Sequence, residues 1–469
     1  MSVLAARPMD AAEERHTARE LGRASFRVKV VKIVCGIALG VCFWYSVPYA
    51  VPPPTTNGVA NAASALAENY AGSNSRQVAM PVIALLAAYM LWRLPKRGRI
   101  GGRLVAVALL YIGWAIVSCA WSTVLPVTEK RLIVFLMDCL FAYTAARTLS
   151  VMELALWGFA STGVVALISL YVDVAQQHSF APFDPEYRFQ GVMQPNNQAM
   201  NLVVCIVCAL TLAQQRPRLT RWLAPVVIFA LALLALSRSR LSTILCIGMV
   251  LAIVMPIAKR KLGAHTRAIA LLAGLAVGAP LLILVIGSSN GSAAQSVFMM
   301  GRNDTENTSS LSNRMPLWTE LMGSVVQHPW FGFGYEAFWT PERVERVSLD
   351  QGWAVPHGHN TYLDQMLSLG VVGMLLYMGA VGGGCVVAWR RYRHRRRAES
   401  LLPALLITWM MIESLAESTP LDPYLPTILA YICVVKMFLA EGSEAESDRA
   451  RGPREIMTGV SPVKAGSAW

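Results

Sequence analysis

The sequence predicts an all-α, polytopic membrane protein with about twelve transmembrane helices and a large periplasmic loop between helices 9 and 10. Three observations predict it. Hydrophobic residues make up 55% of the 469-residue chain and charged residues only 15%, against roughly 25% charged in an ordinary soluble domain. The apolar residues gather into runs that fit spans of about 20 residues. The basic residues fall mainly on one side of the spans so defined.

The runs lie near 31–49, 79–92, 104–121, 132–146, 152–174, 199–213, 222–236, 241–258, 268–287, 361–389, 401–417 and 426–440. Residues 1–30 form a charged cytoplasmic tail, and the run after it is long enough to stay as a span, so no cleavable signal is expected. Residues 50–78, opening on VPPP, form an outer loop with room for a short helix. Spans 1 to 9 occupy 31–287, the large loop 288–360, spans 10 to 12 occupy 361–440, and a second cytoplasmic tail 441–469. With the N-terminus inside, 31 of the 41 Lys and Arg lie in inside segments, among them RRYRHRRR at 390–397. The net charge of +13 therefore marks topology and contact with anionic lipid rather than nucleic acid. Both termini are expected in the cytoplasm and the large loop outside.

All nine cysteines fall in apolar segments and none in the outer loops, so no disulfide framework is expected. Cys205 and Cys208 form a CxxC inside a predicted span, read as small apolar packing. The sequons at Asn290, Asn303 and Asn307 are patterns short enough to arise by chance. No P-loop, GxSxG, zinc spacing or acidic metal pair stands out.

The stretch from His328 to Gly373 is the most informative. HPWFGFGYEAFW cannot span a membrane, and HGHNTYLDQMLSLGVVG follows it at the mouth of span 10. Thr361 and Asp364 match a capping pattern, which puts the helix start there and His359 with Asn360 at the membrane boundary. Upstream in the same loop, Arg314 to Val326 shows amphipathic spacing with Ser312 or Asn313 as its cap, so Arg314 sits in a first turn that disfavours cations. The turn SRSR at 237–240 places Arg238 and Arg240 outside, against the positive-inside bias. Arg is suited to bidentate phosphate recognition, and a helix start adds N–H donors. The loop at 175–197 carries Arg188 between Tyr187 and Phe189. Pro195 sets a turn at the start of span 6, where Asn196 or Asn197 can cap. Glu413 and Glu417 end span 11 one turn apart. They can balance the arginines, bind a sugar hydroxyl, or act as base in place of His359. Asp138, inside span 4, is a further candidate acid or a partner for a neighbouring helix.

These patterns together resemble the O-antigen ligase and Wzy-type polymerase superfamily. The resemblance rests on FQGVMQPNNQA, SRSR, NRMPLW, and above all HPWFGFGYEAFW with HGHNTYLDQMLSLGVVG, and covers mainly residues 186–375. It implies a GT-C-like helical membrane glycosyltransferase without metal or other cofactor. The donor would be an undecaprenyl-pyrophosphate-linked oligosaccharide, and the acceptor another glycan or lipid A core. Carried onto matching positions, Arg240 and Arg314 would hold the pyrophosphate, with Arg238 able to take the place of Arg240 and Arg188 as helper. His359, or alternatively Glu413, would take the acceptor proton. Asn196, Asn360, Trp330 and Tyr335 complete the expected glycan and phosphate contacts, the aromatic loop stacking on sugar faces. The motif style is nearest the exopolysaccharide polymerases, with a ligase as the alternative. The expected setting is the bacterial inner membrane, with the site facing the periplasm, and flippase and chain-length regulator proteins as companions.

A transporter of the same size is the rival class. Internal repeats and midplane ionisable residues would mark it. The candidate residues here gather at one face instead. A non-catalytic scaffold is the other rival, and it would tolerate substitution of the arginines and His359.

Overall fold

A computed structural model describes residues 29–40, 74–93, 102–176, 180–184, 187–262, 314–418 and 426–439. The ninth predicted span, the three sequons, the start of the large loop and most of both tails lie outside these residues.

The described residues are helical and contain no strand. In order they form α1 (29–40), α2 (Asn74–Arg93), α3 (Arg103–Val117), α4 (Leu125–Thr148), α5 (Val151–Tyr171), α6 (Pro195–Gln215), α7 (Thr220–Ser237) and α8 (Arg240–Leu262). Then follow α9 (Arg314–Gln327), α10 (Pro341–Gln351), α11 (Thr361–Arg395), α12 (Ala398–Glu413) and α13 (Pro426–Leu439). Five are long and apolar enough to cross a membrane: Arg103–Ala120, Val151–Ala175, Pro195–Gln215, Pro217–Ser237 and Thr361–Arg395. Three shorter apolar helices, Val78–Arg93, Arg240–Pro256 and Pro426–Leu439, also coincide with predicted runs.

The bundle is built around α6. Its apolar window is 78% buried, against 17% to 33% in the other four candidate spans. Small side chains let neighbours approach: Cys205, Cys208 and Ala209 are buried, α5 and α7 flank α6, and α8 and α12 pack on it as well. Asn201 donates from Nδ2 to the Thr162 carbonyl of α5 at 3.0 Å, a polar tie inside the apolar layer. On the other side of the bundle, α11 packs on α3 and α12, and α2 on α4.

Local chemistry fixes the helix ends. Ser150 and Glu153 close a reciprocal capping box at the start of α5, and Glu153 also pairs with Lys32 of α1 at 2.8 Å. Between α9 and α11 the chain makes a cap with its own small core. Leu317, Leu321 and Val325 of α9 meet Val344 and Val347 of α10, Phe333, Phe338, Trp339, and Leu363 and Leu367 of α11. The loop 328–334 is seated on a break in α11 at Gly370 (φ 69°). There Val371 N donates to Pro329 O, Phe333 N to Leu367 O and Gly334 N to Ser368 O. A Cβ on Gly370 would stand 2.1 Å from the Trp330 carbonyl oxygen, so only glycine fits.

Two expected caps differ from the structure. Asn360, not Thr361, is the N-cap of α11, its Oδ1 accepting from Tyr362 N and Leu363 N at 3.0 and 3.2 Å. The amide oxygen reaches both orphan donors, which frees Thr361 and Asp364 for tertiary contacts. At the start of α6 the chain enters helix through Pro195 after Gln194, with no side-chain cap, because the amide of Asn196 is engaged elsewhere.

Candidate active site

Five helix ends converge beside the cap: the starts of α6, α8, α9 and α11 and the end of α12. The centre is Glu417, in the turn that follows α12. Its Oε1 accepts from Arg314 Nη2 at 2.7 Å and from Asn196 Nδ2 at 2.9 Å, and its Oε2 lies 3.2 Å from His359 Nδ1. Arg314, His359 and Glu417 are all nearly buried, with side chains 16%, 12% and 12% exposed. A buried carboxylate with a guanidinium, an imidazole and an amide donor around it is satisfied as the anion. Arg314 also donates to the Ala416 carbonyl, so the unfavourable first-turn position of this arginine is offset by the α12 turn.

The network continues outward. Asn196 Oδ1 accepts from Arg188 Nη2 at 3.0 Å, and Arg188 Nε donates to the Ser237 carbonyl at 3.2 Å. That carbonyl ends α7, where Arg238 adopts a left-handed conformation (φ 51°) and donates to Asp184 O at 2.9 Å. Arg240 opens α8. Two residues on, Ser242 donates to Glu413 Oε1 at 2.6 Å. Glu413 therefore faces α8, while the acid beside His359 is Glu417.

His359 itself is held in a left-handed turn (φ 48°), uncommon for any residue with a side chain. Its backbone N–H points at His357 Nδ1 at 3.3 Å. Trp318 of α9 donates to the neighbouring Gly358 carbonyl at 2.9 Å. The buried carboxylate of Asp364 accepts from Trp339 Nε1 at 2.8 Å, from Gly358 N at 3.1 Å, and from Ser418 Oγ. Asp364 thus ties the aromatic loop, the His359 turn and the Glu417 turn together. The other ring nitrogen, His359 Nε2, is buried and has no hydrogen-bond partner among the described residues. The rings of Trp353 and His357 stand at 5.3 and 4.2 Å from that of His359.

The structure therefore gathers Arg188, Asn196, Arg314 and His359 into one network, with Asn360 as a cap and Glu413 at its α8 edge. Trp330 and Tyr335 are not in it. Trp330 is 62% exposed on the loop. Tyr335 is buried on the far side of α11, its ring 5.3 Å from that of Phe135 in α4. Glu417 as the hub and Asp364 as the tie did not stand out in the sequence. The one was read jointly with Glu413 as a counter-charge to the arginines, a sugar contact or a base, and the other as a cap.

Among the described residues, no three His, Cys, Asp or Glu side chains gather as a metal site. The class so defined is a polytopic helical membrane protein with a compact arginine, histidine and carboxylate site under a helical cap.

Residues 225–378, from α7 through the first half of α11, match the Wzy_C family, described as "O-Antigen ligase". The chain is 25% identical over 115 residues to an O-antigen ligase of Pseudomonas aeruginosa, which covers 24% of this chain and 26% of that protein. It is 22% identical over 285 residues to the exopolysaccharide production protein ExoQ of Rhizobium meliloti, covering 56% of this chain and 60% of that one. The chain thus spans about a quarter and about three fifths of the length of these two relatives. The matches bear out the superfamily resemblance carried by the motifs. The family match includes Arg238, Arg240, Arg314 and His359, while Arg188, Asn196, Glu413 and Glu417 lie beyond its ends.

Proposed function

We propose that the protein is a membrane glycosyltransferase that moves a glycan from undecaprenyl pyrophosphate to a glycan acceptor at the periplasmic face of the inner membrane. Within that class the reading taken here is an exopolysaccharide or O-antigen polymerase. One observation carries it: Glu417 joins Arg314 to His359 and leaves His359 Nε2 as the open nitrogen of a buried, cation-rich site. Nδ1–H donates to Glu417, so Nε2 keeps its lone pair. The acceptor hydroxyl gives its proton to Nε2 as its oxygen attacks the anomeric carbon. The new C–O bond forms as the bond to the pyrophosphate oxygen breaks, and undecaprenyl pyrophosphate leaves with the electron pair. Positive charge is needed where that negative charge develops, and Arg314, Arg188, Arg240 and Arg238 supply it. Since Trp353 and His357 lie against the ring, the acceptor reaches Nε2 only when the 353–358 loop moves aside.

Direct displacement inverts the anomeric centre, and a product that retains the donor configuration would sink this mechanism. With guanidiniums in the role of a metal, turnover is expected to survive excess chelator; loss of activity on EDTA treatment, restored by a divalent ion, would count against it.

A ligase acting on lipid A core is the second reading, favoured by the description of the matched family. The longer alignment, over 285 residues, is to an exopolysaccharide production protein. The deciding experiment complements a deletion strain with wild type, His359→Ala or Arg314→Lys at matched membrane levels. Lost high-mass exopolysaccharide with intact lipopolysaccharide, restored only by wild type, is the polymerase outcome. Lost O-antigen on lipid A core with accumulated lipid-linked polymer is the ligase outcome. Full rescue by both variants would remove the site from the reaction.

A further inference from the structure

The loop that seats on Gly370 exposes two aromatic rings that the transfer chemistry does not use, Trp330 and Phe331. Contacts with α3 fix their height. The Phe331 ring stacks on that of Trp114 at 5.5 Å, and Trp121 meets it edge-on at 5.2 Å while its Nε1 donates to the Phe331 carbonyl at 2.9 Å. Trp114 lies inside the candidate span Arg103–Ala120, and Trp121 directly follows it. Phe331 therefore stands level with the last turns of a span whose sides are largely exposed, Ile116 and Val117 among them. Length gives the same level independently. From Val371 to Trp389, α11 carries no acidic or basic side chain. That stretch rises about 28 Å at 1.5 Å per residue, close to the roughly 30 Å of a hydrocarbon core. Arg390 marks one boundary, and Gly370, under the Trp330 carbonyl, marks the other.

The outer faces of the cap differ in charge. On α10, Glu342, Glu345, Arg346 and Asp350 are exposed, a surface suited to water. On α9 the exposed residues Met315, Thr319, Met322 and Val326 form a stripe at i, i+4, i+7 and i+11, turned away from the buried Leu317, Leu321 and Val325. The Thr319 hydroxyl donates back to the Met315 carbonyl at 2.9 Å, so the stripe offers little to water. Both charged residues of α9 are engaged within the protein: Arg314 with Glu417, and Glu320 Oε2 with Gln351 Nε2 at 2.8 Å. The Arg314 end of α9 stands no farther out than its loop end. Arg314 donates to the Ala416 carbonyl, little more than one turn beyond Met411. The Met411 methyl faces Gly382 of α11, about three turns past the Gly370 boundary.

We propose that this surface, the α9 stripe with Trp330 and Phe331, rests in the headgroup and upper acyl region of the bilayer leaflet at the cap end. Level and charge select lipid as the occupant. The surface is uncharged, continues the exposed side of α3 at the depth where that span ends, and carries rings of the kind that settle at a membrane boundary. A soluble partner would have to reach it at the depth of the spans. The charged face of α10 is left to water. Asp364 ties the cap to the His359 turn, so this contact sets the height of that turn relative to the headgroups. The shorter side chain of Trp330→Cys stays among the headgroups, within reach of a water-soluble reagent.

The test uses the full chain in phosphatidylcholine vesicles, with a bimane fluorophore attached at Met322→Cys or Val326→Cys. Leu349→Cys, on the exposed side of α10, is the reference, and the signal of the unsubstituted chain is subtracted from each. Two quenchers are compared: iodide in the water, and a nitroxide carried on the lipid headgroup or near the top of the acyl chain. At Met322→Cys and Val326→Cys the lipid nitroxides are expected to remove most of the fluorescence and iodide little of it. Leu349→Cys should show the reverse. Quenching of both α9 positions by iodide, as at the reference, would put the stripe in water and overturn the proposal. Protection from both quenchers would overturn it too. With no other protein in the vesicles, a second copy of the chain would then be what covers α9.

Discussion

At the residue scale the proposed chemistry turns on Glu417, because Asn196 of α6, Arg314 of α9 and His359 of the turn before α11 share its two oxygens. Glu417→Gln keeps the volume and one acceptor but removes the charge that orients His359 and offsets Arg314. Turnover is expected to fall by about 10²-fold or more, within the range that general-base catalysis supplies. His359→Ala should fall at least as far. If the two act as one unit, the double variant is hardly worse than either single one. Strictly multiplicative losses, measured as glycan transferred in isolated membranes, would show that the two side chains work separately. Arg314 and His359 were legible in the sequence: one is a cation in a helical first turn, the other a titratable ring at a span boundary. Glu417 was legible only together with Glu413 as a counter-charge to the arginines; that it, and not Glu413, would stand between Arg314 and His359 was not, since those partners lie 103 and 58 residues away along the chain and no local pattern records such a meeting. The arginines of SRSR were legible as outward-facing. That Arg238 would spend a guanidinium nitrogen on the Asp184 carbonyl was not.

At the scale of elements, the cap depends on one glycine in α11. Gly370→Ala places a methyl 2.1 Å from the Trp330 carbonyl and asks an L-residue to hold φ 69°. With ψ −175° this conformation is essentially confined to glycine and costs another residue roughly 1–3 kcal/mol, and the clash adds to it. The loop 328–334 is therefore expected to lift from α11, giving a lower unfolding midpoint in detergent and faster proteolysis within 328–340. Unchanged proteolysis would mean that the seat tolerates the methyl group. The amphipathic α9 and the start of α11 were read from the sequence within a residue, because apolar spacing and adjacent polar groups mark both ends. The helix α10 was missed, although Thr340, Pro341 and the left-handed Gly352 supply a cap, a first-turn proline and a stop. Its apolar residues Val344 and Val347 stand one turn apart among charged neighbours, a helical spacing that marks it as well. Asp364 shows the opposite failure, where a good local cap pattern was overridden by a tertiary use of the same carboxylate.

For the whole molecule, hydropathy alone recovered the positions of the described apolar helices, because in a bilayer every backbone group must be satisfied within a helix. It could not say that α6 would be the central one, since an apolar run reads alike whether it faces lipid or protein. Nor could it separate the two sides of α11, where Tyr335 and Arg314 part company though both belong to the same loop. The arrangement across the membrane rests on the cations, and it leads to a last prediction. Trp330, 62% exposed on the cap, lies against Gly370, and His394 is exposed at the far end of α11, so the stretch of that helix from Gly370 to His394 separates them, about 36 Å at 1.5 Å per residue. If the cap faces the periplasm and RRYRHRRR the cytoplasm, a membrane-impermeant thiol reagent should label Trp330→Cys in intact cells. It should label His394→Cys only after the membrane is broken. Background is expected to be low, because five of the eight described native cysteines are buried. The reverse labelling would place the arginine site in the cytoplasm. Labelling of both variants in intact cells would mean that α11 does not cross the bilayer, and the excess of cations beside it would then need a different cause.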